Sequence, residues 1–224
     1  MHTISYHKIQ SGDSRYTDLF RLRYRVYCDE CGFEDPLDHP DMMERDEYDE
    51  HSVHFCNLLE GNDNNELIGT VRMILDSKQG FPIEKHFIID EKLLPDFSRF
   101  RIAEISRLAI SKKFRRQITD KILYSKKVAG FTRKNGVYQK ERRRLDRNLT
   151  LGLYHYIYQE SLKRGLTHWY ASMTDGLCSL LSSKGCVWHP IGPRIDHHGF
   201  RRPYIASIAE NAWAVRRNLR LSVS

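Results

Sequence analysis

Four groups of side chains in this sequence could do chemistry. Arg72 stands in a run that otherwise reads Leu67-Ile68-Gly69-Thr70-Val71 and Met73-Ile74. A guanidinium in a buried strand loses its hydration and needs carboxylates in return. Asp46-x-x-Asp49, inside the run Glu44–His51, offers such partners; it could also bind a cation or form a solvated acidic loop. Glu104-Ile105-Ser106-Arg107 is the third group. Strand alternation sends Glu104 and Ser106 to one face and Arg107 to the other. Burial would raise the Glu104 pKa toward the range of a general base, whereas on a charged edge strand it would stay an ordinary acid. Arg25, on the edge of an apolar helical stripe, is the fourth; taken alone it reads as a surface arginine.

Cysteine and histidine chemistry is less well supported. Cys28-x2-Cys31 followed by His51-x2-His54 invites a zinc reading, but the histidine spacing falls short of the three to five intervening residues such sites use. Five cysteines, an odd number, fit reduced thiols rather than a disulfide framework. The expectation is no metal and buried thiols.

These groups need positioning elements. Tyr16, Leu19, Phe20, Arg23 and Tyr27 recur at helical steps and predict a helix over 15–31, ended by Gly32. Residues 52–59 and 66–75 read as strands, and Gly61-Asn62-Asp63-Asn64-Asn65 between them predicts an antiparallel hairpin. Residues 101–110 alternate as a strand. A helix is expected at about 143–164 and closed by Gly165, then a strand over 167–173. A short helix over 175–184 capped by Gly185 and strands at 187–191 and about 203–208 complete the chain. The order predicts a mixed α/β fold in one domain spanning 1–224, with a basic insertion at about 112–147.

The chain has 224 residues, 40% of them apolar and 29% charged, enough for a packed core and too apolar for wholesale disorder. No apolar stretch approaches the roughly 20 residues of a membrane span, and the first residues lack a secretory pattern, so a cytoplasmic address is expected. The net charge of +7 is unevenly spread: residues 112–147 carry +11 and residues 29–50 carry −10. Each segment therefore needs its own explanation.

Taken in order, Leu22-Arg23-Tyr24-Arg25-Val26-Tyr27, Gly32-Phe33, Asp46-x-x-Asp49, Gly69-Thr70-Val71-Arg72 and Glu104-Ile105-Ser106-Arg107 resemble the signature of acyl-homoserine-lactone (autoinducer) synthases, acyltransferases of the GNAT superfamily. The likeness is stronger to their relatives, the N-acyl amino acid synthases. The run from Glu104 to Arg116 and the segment Gly199–Tyr204 are similar to the acyltransferases associated with the PEP-CTERM/exosortase system. The resemblance covers roughly 15–210. It implies a GNAT-like fold: a central mixed, mostly antiparallel sheet with splayed strands, flanked by helices.

It also implies acyl transfer from a thioester to an amine, with no tightly bound cofactor and a small-molecule amine as acceptor. Glu104 would be the base. Arg25, Arg72 and Arg107 with Asp46 and Asp49 would shape the acceptor and pantetheine end of the cleft, with Phe33 and Ser106 against substrate. Ordinary GNAT enzymes follow their central strand with a glycine turn that holds the coenzyme A pyrophosphate at a helix N-terminus. Phe114–Asp120 contains no glycine, which weights the donor toward acyl carrier protein over coenzyme A. Lys112, Lys113, Arg115 and Arg116 would dock that acidic partner. Phe33 stands where autoinducer synthases usually carry Trp, and Leu108 where they carry an aromatic, so the acceptor need not be S-adenosylmethionine. Two other readings of the chain are an autoinducer synthase and a nucleic-acid binder using the basic stretch, in which Tyr124, Phe131 and Tyr138 are interleaved without a recognised motif; nucleic-acid binding is not expected.

Overall fold

A computed structural model describes residues 3–60, 65–96, 98–114, 116, 119–120, 136–212 and 214. Its centre is a sheet of strands β1 (Thr3–Ile9), β2 (Ser52–Glu60), β3 (Glu66–Leu75), β4 (Ile102–Ile110), β5 (His168–Met173), β6 (His189–Pro190), β7 (Ile195–Asp196) and β8 (Phe200–Ser207). The order across it is β1-β2-β3-β4-β5-β8-β6, with β7 pairing to β8. Every pairing is antiparallel except β4 with β5. The expected hairpin of β2 and β3 is present, while its turn residues 61–64 lie outside the described residues.

The parallel pair is short. It holds at Ile102–His168, Ala103–Trp169 and Glu104–Tyr170, beyond which β4 runs on to Ile110 and β5 to Met173 unpaired to each other. The central strands therefore splay immediately after Glu104.

One face of the sheet is covered by the helix α3 (Gly136–Lys163), whose Leu153, Tyr154, Ile157 and Tyr158 meet Phe55, Val71, Met73, Ile105 and Trp169 in the main core. The other face carries α1 (Tyr16–Tyr24), which continues as a wider π-helical turn over Arg25–Glu30. Leu19 and Phe20 of α1 pack with Ile9, Cys56 and Leu58. Also on this face, Phe81, Ile83 and Phe87, in and around the short helix α2 (Pro82–His86), pack with Tyr48, Ile74, Ile102 and Tyr170. Helix α4 (Asp175–Ser182) follows β5, and Thr174 caps it by accepting a hydrogen bond from the Leu177 N–H.

Three sequence expectations are corrected. The long helix starts at Gly136, seven residues before the expected start, because its first turns bury Tyr138 while Val137 and Lys140 are exposed, too little for a helical apolar stripe. The strand expected over 187–191 shrinks to His189–Pro190. β1 was not anticipated; its side chains are mostly half-exposed, as on an edge strand with a weak apolar pattern.

Candidate active site

The face carrying α1 also carries a buried charge network. The Arg72 guanidinium, 1% exposed, donates to Asp46 Oδ1 at 2.5 Å and Oδ2 at 2.9 Å, to Asp49 Oδ1 at 2.8 Å and to Ser106 Oγ at 3.0 Å. Asp46 and Asp49 sit in the loop that crosses this face, and the Asp46 N–H donates back to Asp49 Oδ2 at 2.9 Å. That bond makes the two carboxylates one unit, as their three-residue spacing allows.

A second arginine closes the network, and it is Arg23 rather than Arg25. Arg23 is fully buried and donates to Glu44 Oε2 at 2.5 Å and Asp49 Oδ1 at 2.6 Å. Arg25 lies at the start of the π-helical turn and stacks its guanidinium over the Phe114 ring, 5.3 Å from the centroid. The expectation that Arg25 joins Asp46 and Asp49 is therefore corrected: helical geometry turns Arg23 inward with Leu19, and residue 25, two positions on, toward another side.

Arg107 requires the second correction. Between Thr70 and Arg72 strand β3 advances two residues while β4 covers Ser106 to Ala109, so β4 carries one extra residue, a β-bulge. Arg107 takes a left-handed backbone, φ 52°, at this bulge. Its side chain consequently joins the face of Glu104 and Ser106 instead of the opposite one. There it donates to Glu44 Oε1 at 3.0 Å and Asp46 Oδ2 at 3.3 Å, with Glu34 at 3.6 Å. A left-handed non-glycine residue costs about 1–2 kcal/mol, which these contacts offset.

Glu104 is 2% exposed, and its carboxylate accepts a hydrogen bond from the Ile83 N–H at the start of α2, 2.9 Å, the only one to it among the described residues. Burial raises its pKa to about 7, against the lowering effect of the Ile83 amide and of Arg72 and Arg107. Glu44 moves the other way: although burial opposes ionisation, Arg23 and Arg107 bring its pKa down to about 2. Two carboxylates on one face are thereby held apart in acidity, one ready to take a proton near neutrality and one permanently charged.

Helix α2 is fastened beside Glu104. Glu84 accepts from the Phe81 N–H at 3.0 Å and from both terminal nitrogens of Arg99 at 2.7 Å, and Arg99 also reaches Asp76 at 3.0 Å. Glu84 and Arg99, with Glu91, rim a cleft of about 520 Å³ whose wall includes Phe87, Ile89, Leu94, Ile102 and Tyr170. Ile102 and Tyr170 come from β4 and β5 at the paired end of the splay, so the cleft adjoins Glu104.

Of the remaining expected residues, Ser106 is the hydroxyl acceptor for Arg72, and Phe33 packs beside Tyr27 with ring centroids 6.3 Å apart. Lys113 and Arg116 are exposed, and Arg115 lies outside the described residues. Lys112 is engaged: its ammonium donates to the Glu30 carbonyl at 2.6 Å. The Glu30 carboxylate also accepts from Ser111 Oγ at 2.7 Å, the Lys112 N–H at 2.7 Å and the Lys113 N–H at 3.3 Å. The amides that open the segment after β4 therefore already hold an anion.

A splayed parallel pair beside a bulged central strand is a specific architecture, and comparison with known proteins agrees with it. Residues 22–125 match the family model described as "Acetyltransferase (GNAT) domain". The chain has a GNAT-like fold. BjaI, a CoA-dependent acyl-homoserine lactone synthase solved with SAM and isopentyl-CoA, superimposes at a TM-score of 0.64 with 20% identity, covering 96% of this chain and 89% of that one. The acyl-homoserine lactone synthase LasI gives 0.57 and 17% over 93% and 90%. FeeM, an N-acyl amino acid synthase from uncultured soil microbes, gives 0.54 and 12% over 93% and 94%. No curated protein matches the chain by sequence. Within this GNAT fold, sequence reasoning passed over Arg23, Glu44 and Glu34. Arg23 alone had a signal, a charged residue inside an apolar helical stripe.

Proposed function

We propose that the chain is an N-acyltransferase that moves a fatty acyl group from a thioester to the amino group of an amino acid or related amine. One observation carries this reading above the others: a buried Glu104, with pKa near 7, stands at the point where β4 and β5 separate. The neutral amine nitrogen attacks the thioester carbonyl carbon, a C–N bond forms, and the C–S bond breaks to release the thiol. The amine gives up its proton to Glu104, directly or through a water, and the leaving thiolate is protonated in turn. The oxyanion is met by backbone N–H groups of β4 beyond Glu104, where no β5 partner competes for them. Arg72 and Arg107, tied to Asp46 and Asp49, fix the bulge that shapes this stretch. The apolar part of the cleft wall, Phe87, Ile89, Leu94, Ile102 and Tyr170, offers the acyl tail a surface worth roughly 0.8 kcal/mol per buried methylene, beside the charged rim of Glu84, Glu91 and Arg99.

Acyl carrier protein is the favoured donor. Glu30 fills the amides that would otherwise be open to a coenzyme A phosphate, and exposed Lys113 and Arg116, with Arg115, suit an acidic partner. The sequence likeness of Glu104–Arg116 and Gly199–Tyr204 to the PEP-CTERM/exosortase-associated branch fits an amide product. No described helix is long and apolar enough to cross a membrane, and a cytoplasmic location would give access to both donors. The decisive test incubates the protein with long-chain acyl carrier protein, or acyl-coenzyme A, and a panel of amino acids, and reads acyl amides by mass spectrometry. Absence of any acyl amide, or undiminished activity in Glu104→Gln, rejects the reading.

An acyl-homoserine lactone synthase is the second reading, supported by the likeness of the fold to BjaI and LasI. It predicts a lactone from acyl donor and S-adenosylmethionine in the same assay.

A further inference from the structure

Two arginines flank the Tyr27–Phe33 pair at the open end of the splay, and among the described residues only Arg107 is bonded to carboxylates. Arg107, with its Cζ 5.6 Å from the Tyr27 centroid, is bonded to Glu44 and Asp46 and lies 3.6 Å from Glu34. Arg201 stacks over Phe33, 5.4 Å from the centroid. It belongs to β8, just beyond the last residue that pairs with β5, since Arg202 is opposite Met173. Among the described residues no carboxylate pairs with Arg201. Its Nε is buried without a partner, and one terminal nitrogen only reaches the His198 carbonyl at 3.5 Å.

Three histidines line the same corner. His197 stacks on His86 at 4.6 Å and lies edge-on to His198 at 4.5 Å, and His198 Nδ1 is hydrogen-bonded to the Phe33 carbonyl. Burial, with the neighbouring histidines and Arg201 and Arg107, pushes the His197 pKa down to about 4. Burial and Arg107 likewise lower that of Arg201, against the raising effect of Tyr27 and Glu34. The nearest acid, Glu34, lies against Arg107 at 3.6 Å and no carboxylate among the described residues is bonded to Arg201; a guanidinium backed by an aromatic ring and without a bonded acid is built to receive a planar anion in two-pronged fashion.

We propose that Arg201 receives the carboxylate of the amine acceptor, which makes the acceptor an amino acid rather than a simple amine. This rests on the amide-forming reading above and narrows its substrate class. Phe33 holds the guanidinium flat from one side, which gives that residue a role in acceptor binding through Arg201. An acceptor anchored there lies toward the face of β4 that carries Glu104, because the bulge puts Arg107 on that same face. Arg107, already satisfied by three acids, shapes the wall and leaves the anchoring to Arg201.

The test is direct binding of two ligands that differ in one group, N-dodecanoylglycine and N-dodecanoylglycinamide, followed by titration calorimetry. The wild-type chain should bind the acid about 10- to 100-fold more tightly than the amide, the worth of a charge-assisted hydrogen bond. Arg201→Gln should bind both at the amide's affinity, and Arg201→Lys should recover part of the preference. Equal affinity of the wild-type chain for acid and amide overturns the assignment, and this arm needs no variant to fold. An undiminished acid preference in Arg201→Gln overturns it as well. Transfer of a dodecanoyl group to glycine and to ethylamine is measured alongside. An acid preference that depends on Arg201, without transfer to any amine, would uphold the anion receptor and reject the acyltransferase reading instead.

Discussion

Arg23 and Arg25 sit two residues apart, and the cost of losing each should differ widely. Among the described residues Arg23 alone bonds both Glu44 and Asp49, so Arg23→Met leaves buried carboxylates short of a counter-charge. The expected loss is about 3–5 kcal/mol, read as a lower urea midpoint. Arg25→Ala gives up a cation–π contact with Phe114 and should cost about 1 kcal/mol or less. Equal losses would mean that the network does not hold the acidic loop to the sheet. Glu104→Gln belongs to the same scale. Loss of a positioned base lowers kcat/KM by about 10²- to 10⁴-fold, and it should also remove the limb of the pH profile that rises near pH 7, because the wild-type base becomes competent as it deprotonates. A variant that keeps that limb would show that another group titrates there. The pairing of Arg72 with Asp46 and Asp49 was legible in the sequence because a lone guanidinium in an apolar strand demands acids, and a single acidic segment stood close enough. Glu44 was not legible. Nothing in its local sequence distinguishes it from Glu47 or Glu50, and its burial at 1% depends on the path of the loop over α1.

Strand β4 shows why whole elements were easier to read than their irregularities. Its alternation was clear from Ile102 to Ser106, but one inserted residue reverses the faces afterwards. Leu108 and the small Ala109 are apolar enough for either side, so the sequence carries no mark of the bulge. The splay was hidden for a similar reason: the length of β5 is visible, while the three-residue extent of its pairing is a property of two strands together. The hairpin, by contrast, announces itself locally through Gly, Asn and Asp between two apolar runs. The same dependence on neighbours governs the glycines. A Cβ on Gly192 would fall 2.0 Å from the Ile88 carbonyl oxygen and 2.9 Å from Pro203 Cγ. Gly192→Ala must therefore push the Ile88 segment away and strain the Asp90 N–H bond to the Ile191 carbonyl, 2.8 Å. This should cost about 1–3 kcal/mol, and because Ile89 walls the cleft it should weaken acyl-donor binding too. Gly176, in α4, has nothing within 4 Å of its virtual Cβ, and Gly176→Ala should be neutral or stabilising by up to about 1 kcal/mol. Thermal denaturation of the two variants checks the contrast. Similar behaviour would mean that the Ile88 segment yields freely.

Across the whole molecule the net charge of +7 conceals two opposed segments, and the acidic one is built into the fold through Glu44, Asp46 and Asp49. Stability should therefore depend on pH in a way that no single group determines. His54, 1% exposed, has its pKa lowered by burial to about 4 from 6.5, as His197 does. The unfolded chain binds those protons first, so stability is lost as pH falls from about 6.5 to 4. Glu104 acts in the opposite sense. Its native pKa of about 7 exceeds the ordinary 4.5, so the native state takes up a proton first and stability is gained as pH falls from about 7 to 4.5. Glu44 and Asp49, both lowered, contribute stability above their ordinary pKa values and lose it as pH falls below about 4.5. The effects of Glu104 and the histidines partly cancel between pH 7 and 4.5, and below that range the remaining changes at Glu44 and Asp49 are unfavourable. Urea midpoints should thus vary little from pH 7 to 5 and fall steeply below 4.5. Glu104→Gln isolates one contribution. It removes a buried carboxylate whose ionisation costs roughly 3 kcal/mol over the full shift, so relative to wild type it should be more stable at pH 8 and lose that advantage progressively by pH 4.5. A stability difference between the two chains that stays constant from pH 8 to 4.5 would show that Glu104 is not held near neutrality, and would remove the physical basis for its role as the base.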